Sequence, residues 1–597
     1  MKILPILVAG ATLVVGQSAS AAKPVRAPAA VEAAIRADKP AAVERLRAWI
    51  ALPTIANMGL NHKEGAEFMR QLALDAGFQR ARLVRTDGVP GVFATLDVGA
   101  PTTLAVYFMY DVKHFDPAEW SSPPLEGRLV DRPGEGKAIV GRGAVNQKGP
   151  ETAFLAAIRA FKASGVRLPV NLVLIAEGEE EIGSPHFRQV VADPEVRTAL
   201  SKAAGVFIPS ANQSSTGAVG LTLGAKGVIE VQLMSSGAKS GNGPAKDIHS
   251  SLMASVDSPA WRLIKALDTL VGPDGHTPAI DGYFDNVKSL TDRQKQIIAS
   301  EVATGDEADD LKSLGLKHWY RNEDYLTSSI RLAQQPTVNI QGLVSGYMGP
   351  GGKTVLPGRA EAKLDLRLVP DMTFEEAVTK LKAHLAKRGF SDIEVNVSGG
   401  YSPTETDENS PLIKAEQATL AASGIEQTLS ARSAGSWPGV VFTGDPLRLP
   451  AGQFGSGRGG GAHAPNEWFL IDSVNPKVAG FAEQARLYAD LLYQVAGRFG
   501  QALVCGRHWR AGLALGGQPS ALLLPLAKRF AAPFLLEPQR AATLRVGFGL
   551  AFGGSIDACR NRLNRQADDL DRGPCDGSDD AARQRGEEGE KQQAAHR

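Results

Sequence analysis

Two hydrophobic rhythms run along the chain. Residues 31–50 and 64–76 place Ala, Ile, Val and Leu among charges at helical spacing, which predicts two helices, followed by a short strand over 81–84. Residues 103–110 are apolar and run straight into Asp111-Val112-Lys113. Gly141-Arg142-Gly143 is a glycine turn, 149–163 reads as a helix, and 173–176 is a buried aliphatic strand. This β-α-β order predicts an α/β domain with a mainly parallel sheet and helices on both faces. From about Gly224 the strict alternation stops. Strands over 228–234 and 360–369 mix with helices over 258–271, 292–299 and 374–387, as in a small α+β insert. After Gly399 come turns, short strands and a last helix over 478–495. The expected organisation is one domain inserted into another: a first part of the outer domain over 31–223, an insert over 224–399, and the second part of the outer domain over 400–497.

The ends differ from this body. Lys2, the apolar stretch 3–15 and the small-x-small run Ala19-Ser20-Ala21 predict a signal peptide over 1–21. The expectation is therefore a secreted protein, periplasmic in a Gram-negative source. The segment 498–597 is an atypical tail, rich in Ala, Gly, Leu and Arg, with its charged end expected to be disordered. Within it, 511–536 is apolar but broken by Gln518, Pro519, Pro525, Lys528 and Arg529, so it does not read as a membrane span. Cys505, Cys559 and Cys575 all lie in this tail, which leaves the body without a disulfide framework or a thiol nucleophile. A net charge of +1 suggests neither nucleic acid nor an anionic membrane as partner.

The strand over 173–176 ends in Glu177-Gly178-Glu179-Glu180-Glu181-Ile182-Gly183-Ser184. In open α/β sheets, chemistry sits at the carboxyl ends of strands. Adjacent carboxylates at about 4 Å repel by roughly 4 kcal/mol at an effective dielectric of about 20. The acids must point apart, face water or share a cation.

Several stretches then line up: Met109-Tyr110-Asp111-Val112, Gly141 to Pro150, Glu177 to Ser184, Asp247-Ile248-His249-Ser250, Lys353 to Pro357, Arg367-Leu368-Val369-Pro370 and Gly461 to Glu467. In this order and spacing the chain resembles, over residues 31–497, the metallopeptidase family of carnosine dipeptidases, acetylornithine deacetylase and carboxypeptidase G. The resemblance implies a zinc-peptidase α/β domain with an inserted lid that usually dimerises. It implies two metal ions sharing a bridging carboxylate, and a glutamate that activates water to attack an amide. Glu180 falls on that base and Glu181 on the metal ligand beside it. Asp111 falls on the aspartate that orients a histidine ligand, His463 on the C-terminal histidine ligand, and His249 on a lid histidine that reaches the substrate. Arg367 and Thr354 resemble residues that hold a substrate carboxylate, and Ser436 resembles a further substrate contact.

The departures from the family pattern are specific. Met109 stands where the first ligand histidine is expected, Asn146 where the bridging aspartate is, and Ala211 where a later aspartate is. Met109 and Ala211 would abolish one metal site, while the other keeps Glu181 and His463 with Asn146 as a weak donor. The expectation is one weakly held divalent ion, zinc or similar, or none. Without metal, Asp111, Glu180 and Glu181 need raised pKa values or nearby cations. Lys148 and Arg458 are candidates by position, and His114 is a candidate displaced ligand. The expected function is an exported hydrolase cleaving a dipeptide or N-acyl amino acid. The alternative is an inactive protein of the same fold that binds such a ligand. The expected partners are that small ligand and a second copy docked through the lid.

Overall fold

In the computed structural model, residues 25–514 are described, apart from the side chains of residue 313 and of 500–514. All of them belong to one of two compact units, Met1–Gly517; the other, Gln518–Arg597, and the expected signal peptide lie outside the described residues.

Alternate side chains of the two central strands face two different cores. From Thr103–Met109, Val106 and Phe108 join one core, and Ala105 and Tyr107 the other; from Asn171–Glu177, Leu172 and Leu174 oppose Val173 and Ile175 in the same way. Both faces are buried, which is why these strands read as unbroken apolar runs. The larger core is covered by helices Ala29–Ile50, His62–Ala76, Gly149–Ser164 and the first turns of Phe481–Ala514; the smaller takes Phe187–Ala192 and Pro194–Leu200. The sheet has six strands in the order Arg80–Val84, Gly91–Leu96, Asn171–Glu177, Thr103–Met109, Ala203–Pro209, Ala451–Phe454. The last four run parallel, and the first two join antiparallel at the edge. This is the expected α/β architecture.

A second sheet, antiparallel, holds Thr337–Ser345, Arg359–Leu368, Gly227–Ser236 and Glu394–Tyr401 in that order. Helices Pro259–Asp268 and Phe374–Lys387 cover it and close a separate core. The helix Phe374–Lys387 has the bounds its apolar period predicts. Thr373 caps its N-terminus, Glu375 and Glu376 lie in its first turn and Lys387 in its last, with charges favourable to the helix dipole. The edge strand Thr337–Ser345 is largely exposed, so no burial imposes a pattern on it. A third sheet pairs Gly136–Val140 with Arg128–Arg132 and Trp468–Ser473. It holds two loops against the end of the main sheet.

Candidate active site

Two parallel strands deliver the acids. Met109 lies opposite Glu177 in register, so the chain leaves both strands at the same end of the sheet. Asp111 is buried, and its carboxylate accepts the backbone amides of Glu181 at 3.0 Å and Glu180 at 3.3 Å. Those amides open the helical turn Glu180–Ile182, where unpaired N–H groups welcome an acceptor. Burial, and then Glu181, push the Asp111 carboxyl up to about 8 against the pull of these amides. Behind it, Glu177 accepts the hydroxyls of Tyr107 at 2.8 Å and Ser184 at 3.0 Å, and burial raises it far above the usual carboxylate range.

Of the three consecutive glutamates, Glu179 turns away from the other two, to His186, 2.9 Å from its Nδ1. Glu180 stays half-buried, raised well above its ordinary value by burial and then by Glu181, Asp111 and Glu177, with Lys113 pulling the other way. Glu181 meets the loops from the third sheet. Asn146 Nδ2 lies 2.8 Å from Glu181 Oε1 and 3.1 Å from His463 Nε2, and His463 Nε2 lies 3.1 Å from Glu181 Oε2. Lys113 Nζ is 3.4 Å from the same Oε2 and also donates to the Glu181 carbonyl. Asp111, Glu180, Glu181, Asn146 and His463, drawn from distant stretches, thus form one cluster.

Two members of this site carry no sequence-based expectation. Lys113 is one; its only signal is its place two residues after Asp111. Glu467 is the other. Its carboxylate, buried, accepts Arg142 Nη1 and the backbone amides of Gly143, Val145 and Asn146, all at 2.9 Å, and so pins the loop that presents Asn146. The expected compensating cations do not take that place. Lys148 Nζ is held by the carbonyls of Trp49 at 2.8 Å and Leu52 at 3.1 Å, and burial lowers its ammonium to about 7. Arg458 pairs with Glu135 at 2.9 Å. His114 is exposed, and among the described residues no hydrogen bond or ion pair joins it to the acids.

A two-ion centre does not fit these residues. Met109 is buried with its backbone amide on Glu151 Oε1 at 2.9 Å, and Ala211 packs against the main core. Among the described residues no three or more His, Cys, Asp or Glu side chains are grouped as a metal site. Glu181 and His463 are two good donors where a catalytic zinc wants three. Asn146 is a weak third, and the Lys113 ammonium already lies against the Glu181 oxygen that faces His463.

Across the cleft, Arg367 Nη1 donates to Ser436 Oγ at 3.0 Å while its Nε pairs with Asp365 at 2.9 Å. Lys226 is close by, its ammonium lowered to about 8 by burial and then by Arg432 and Arg367. Tyr401 links this patch to the acids: burial raises its hydroxyl, Glu180 raises it further, and Arg367 opposes. Burial raises the Glu230 carboxyl, and Lys113 and Arg367 both oppose it. His249 and Thr354 stand elsewhere on the lid. Both are exposed; His249 Nδ1 is 2.7 Å from Ser251 Oγ, and Ser250 donates its amide to the Thr354 carbonyl at 3.1 Å. Among the described residues no hydrogen bond or ion pair brings either to Arg367 or to the acids.

The family model for peptidase family M20/M25/M40 matches residues 110–487. The Cys-Gly metallodipeptidase DUG1 of Saccharomyces cerevisiae is 27% identical over 483 residues, covering 76% of this chain and 96% of its own. The Beta-Ala-His dipeptidase of Rattus norvegicus is 25% identical over 482 residues, covering 75% and 93%. Among solved structures, the M20 family metallo-carboxypeptidase Sso-CP2 from Sulfolobus solfataricus superposes with a TM-score of 0.67 at 30% identity, covering 76% of this chain and 99% of its own. Human carnosine dipeptidase 1 shares the fold, with a TM-score of 0.64 at 22% identity over 79% of this chain and 99% of its own. With the family match spanning the lid and both site loops, the chain belongs to peptidase family M20/M25/M40 and is a peptidase-type hydrolase.

Proposed function

We propose that this hydrolase is an exported dipeptidase acting on a dipeptide or N-acyl amino acid, with Glu180 as the base. The observation that carries the reading is the convergence of Glu180, Asp111, Glu181, Asn146 and His463 at one sheet end, with Arg367 and Ser436 across the cleft. Asp111 holds the turn that carries Glu180 by accepting its amide and that of Glu181. Arg367 offers a guanidinium fork for the substrate carboxylate, and Ser436 orients that fork. Glu180 takes a proton from water as the water oxygen bonds to the amide carbon; when the C–N bond breaks, the same proton passes to the leaving nitrogen. A single divalent ion, if bound, would fall to Glu181 and His463 with Asn146 as third donor, and would supply a Lewis acid for the amide carbonyl. Nothing above requires it. His249 and Thr354 complete the substrate site from a second copy docked through the lid. Dipeptides are the first substrates to try because the similar curated proteins are described as dipeptidases.

A second reading is favoured by Met109, Asn146 and Ala211, each in place of a metal-binding residue: a protein that keeps the Arg367 clamp and binds the same ligand without cleaving it. One experiment separates the two. Turnover of a dipeptide panel by the wild type, falling by about 10²–10⁴ in kcat in Glu180→Gln, supports the hydrolase. Calorimetric binding of a dipeptide, lost in Arg367→Ala and never followed by cleavage, gives the second reading.

A further inference from the structure

We propose that the ammonium of Lys113 supplies the positive charge at the acid cluster, so that the cleft is assembled and works without a divalent ion. The fold half of this inference stands alone; its catalytic half rests on the hydrolase reading above.

Asp111 is hydrogen-bonded to the turn that carries Glu180 and Glu181, and like charges that close must be balanced or neutralised. The other nearby basic groups are engaged elsewhere: Lys148 on two carbonyls, Arg142 on Glu467 at 2.9 Å, and Arg458 on Glu135 at 2.9 Å. Lys113 is anchored twice on one residue, to the Glu181 carbonyl and to its Oε2. That oxygen also faces His463 Nε2 at 3.1 Å, so the ammonium occupies an oxygen that a shared ion would need. The remaining link between carboxylate and imidazole is made by hydrogen bonds through Asn146 Nδ2, at 2.8 and 3.1 Å. A dication there would meet a resident cation and too few anionic donors to outweigh it. The Lys113 side chain is 41% exposed while Glu181 is 4% exposed, so the ammonium is open to the cleft and its partner is not.

In the reaction, the electron pair displaced from the amide carbonyl as water adds comes to rest on oxygen. A fixed ammonium facing that oxygen lowers the barrier as a metal would. The proton moves only from water to Glu180 and on to the leaving amine, so the step needs no further reactant.

The test uses the full chain as wild type, Lys113→Met and Lys113→Arg. Metal content is measured by plasma mass spectrometry, thermal unfolding with zinc and with EDTA, and turnover of a dipeptide panel with and without EDTA. The wild type is expected to carry substoichiometric metal and to unfold at the same temperature with zinc or EDTA. Its turnover is expected to resist the chelator. Lys113→Met is expected to lose about 10²-fold or more in kcat, with part restored in Lys113→Arg. Stoichiometric metal in the wild type, unfolding shifted by zinc or EDTA, or full activity in Lys113→Met would overturn the inference. If no dipeptide is cleaved, the hydrolase reading fails, while metal content and unfolding still decide the role of Lys113 in the fold. Should Lys113→Met not fold, Lys113→Arg and the wild-type measurements decide.

Discussion

Glu416 lies in the helix Pro411–Ala422, buried, with neither carboxyl oxygen finding a hydrogen-bond partner. Burial alone raises its carboxyl far above the ordinary value of 4.5. The folded protein keeps that proton, and the unfolded chain releases it near 4.5. Above that pH the unfolded state binds fewer protons, so stability falls as pH rises. The slope is up to about 1.4 kcal/mol per pH unit until the buried carboxyl itself ionises. Glu416→Met removes the group, so denaturant unfolding at about pH 5 and about pH 7 should differ less than in the wild type, with a gain at the higher pH. An equal drop in both proteins would remove Glu416 as its source. Legibility also varies residue by residue. Glu180 and His463 stand in recognisable local patterns, whereas Lys113 is one lysine among many until the chain folds and its ammonium reaches Glu181.

At the scale of elements, the helices were readable from their apolar period and the central strands from unbroken apolar runs. The loop Gly141 to Asn146 was readable as a glycine turn and a motif, but not in what holds it. What fixes it is Glu467, brought in from the far end of the domain with its four donors. Arg142 and Glu467 are 3% and 1% exposed, so Glu467→Ala leaves a guanidinium buried and unpaired as well as three amides without an acceptor. The expected cost is about 3–5 kcal/mol in denaturant unfolding. A loss under about 1 kcal/mol would mean the loop is held by other contacts.

At the scale of the whole molecule, the lid ends in an unpaired edge strand, Thr337–Ser345, with Ile340, Leu343 and Val344 about half exposed. Edge strands of this kind invite pairing with another chain. With His249 and Thr354 also exposed on the lid, a homodimer through this face would let one copy complete the other's site. The mature chain recovered from the exported fraction should begin after Ala21 and elute as a dimer in light-scattering chromatography. Leu343→Glu should convert it to a monomer. An unprocessed N-terminus counts against export, and a wild-type monomer counts against the dimer.

By itself the sequence determined the α/β order of the main domain, the presence of an inserted α+β lid, and the identity of the acids and the histidine that meet. Those features are written locally, in hydrophobic period, turn residues and short motifs. Only the tertiary structure decided which cation sits on Glu181: Lys148 and Arg458 were the candidates by position, and Lys113 takes the place. Charge balance at a buried cluster depends on distances of a few ångströms between segments far apart along the chain, and no local pattern encodes those.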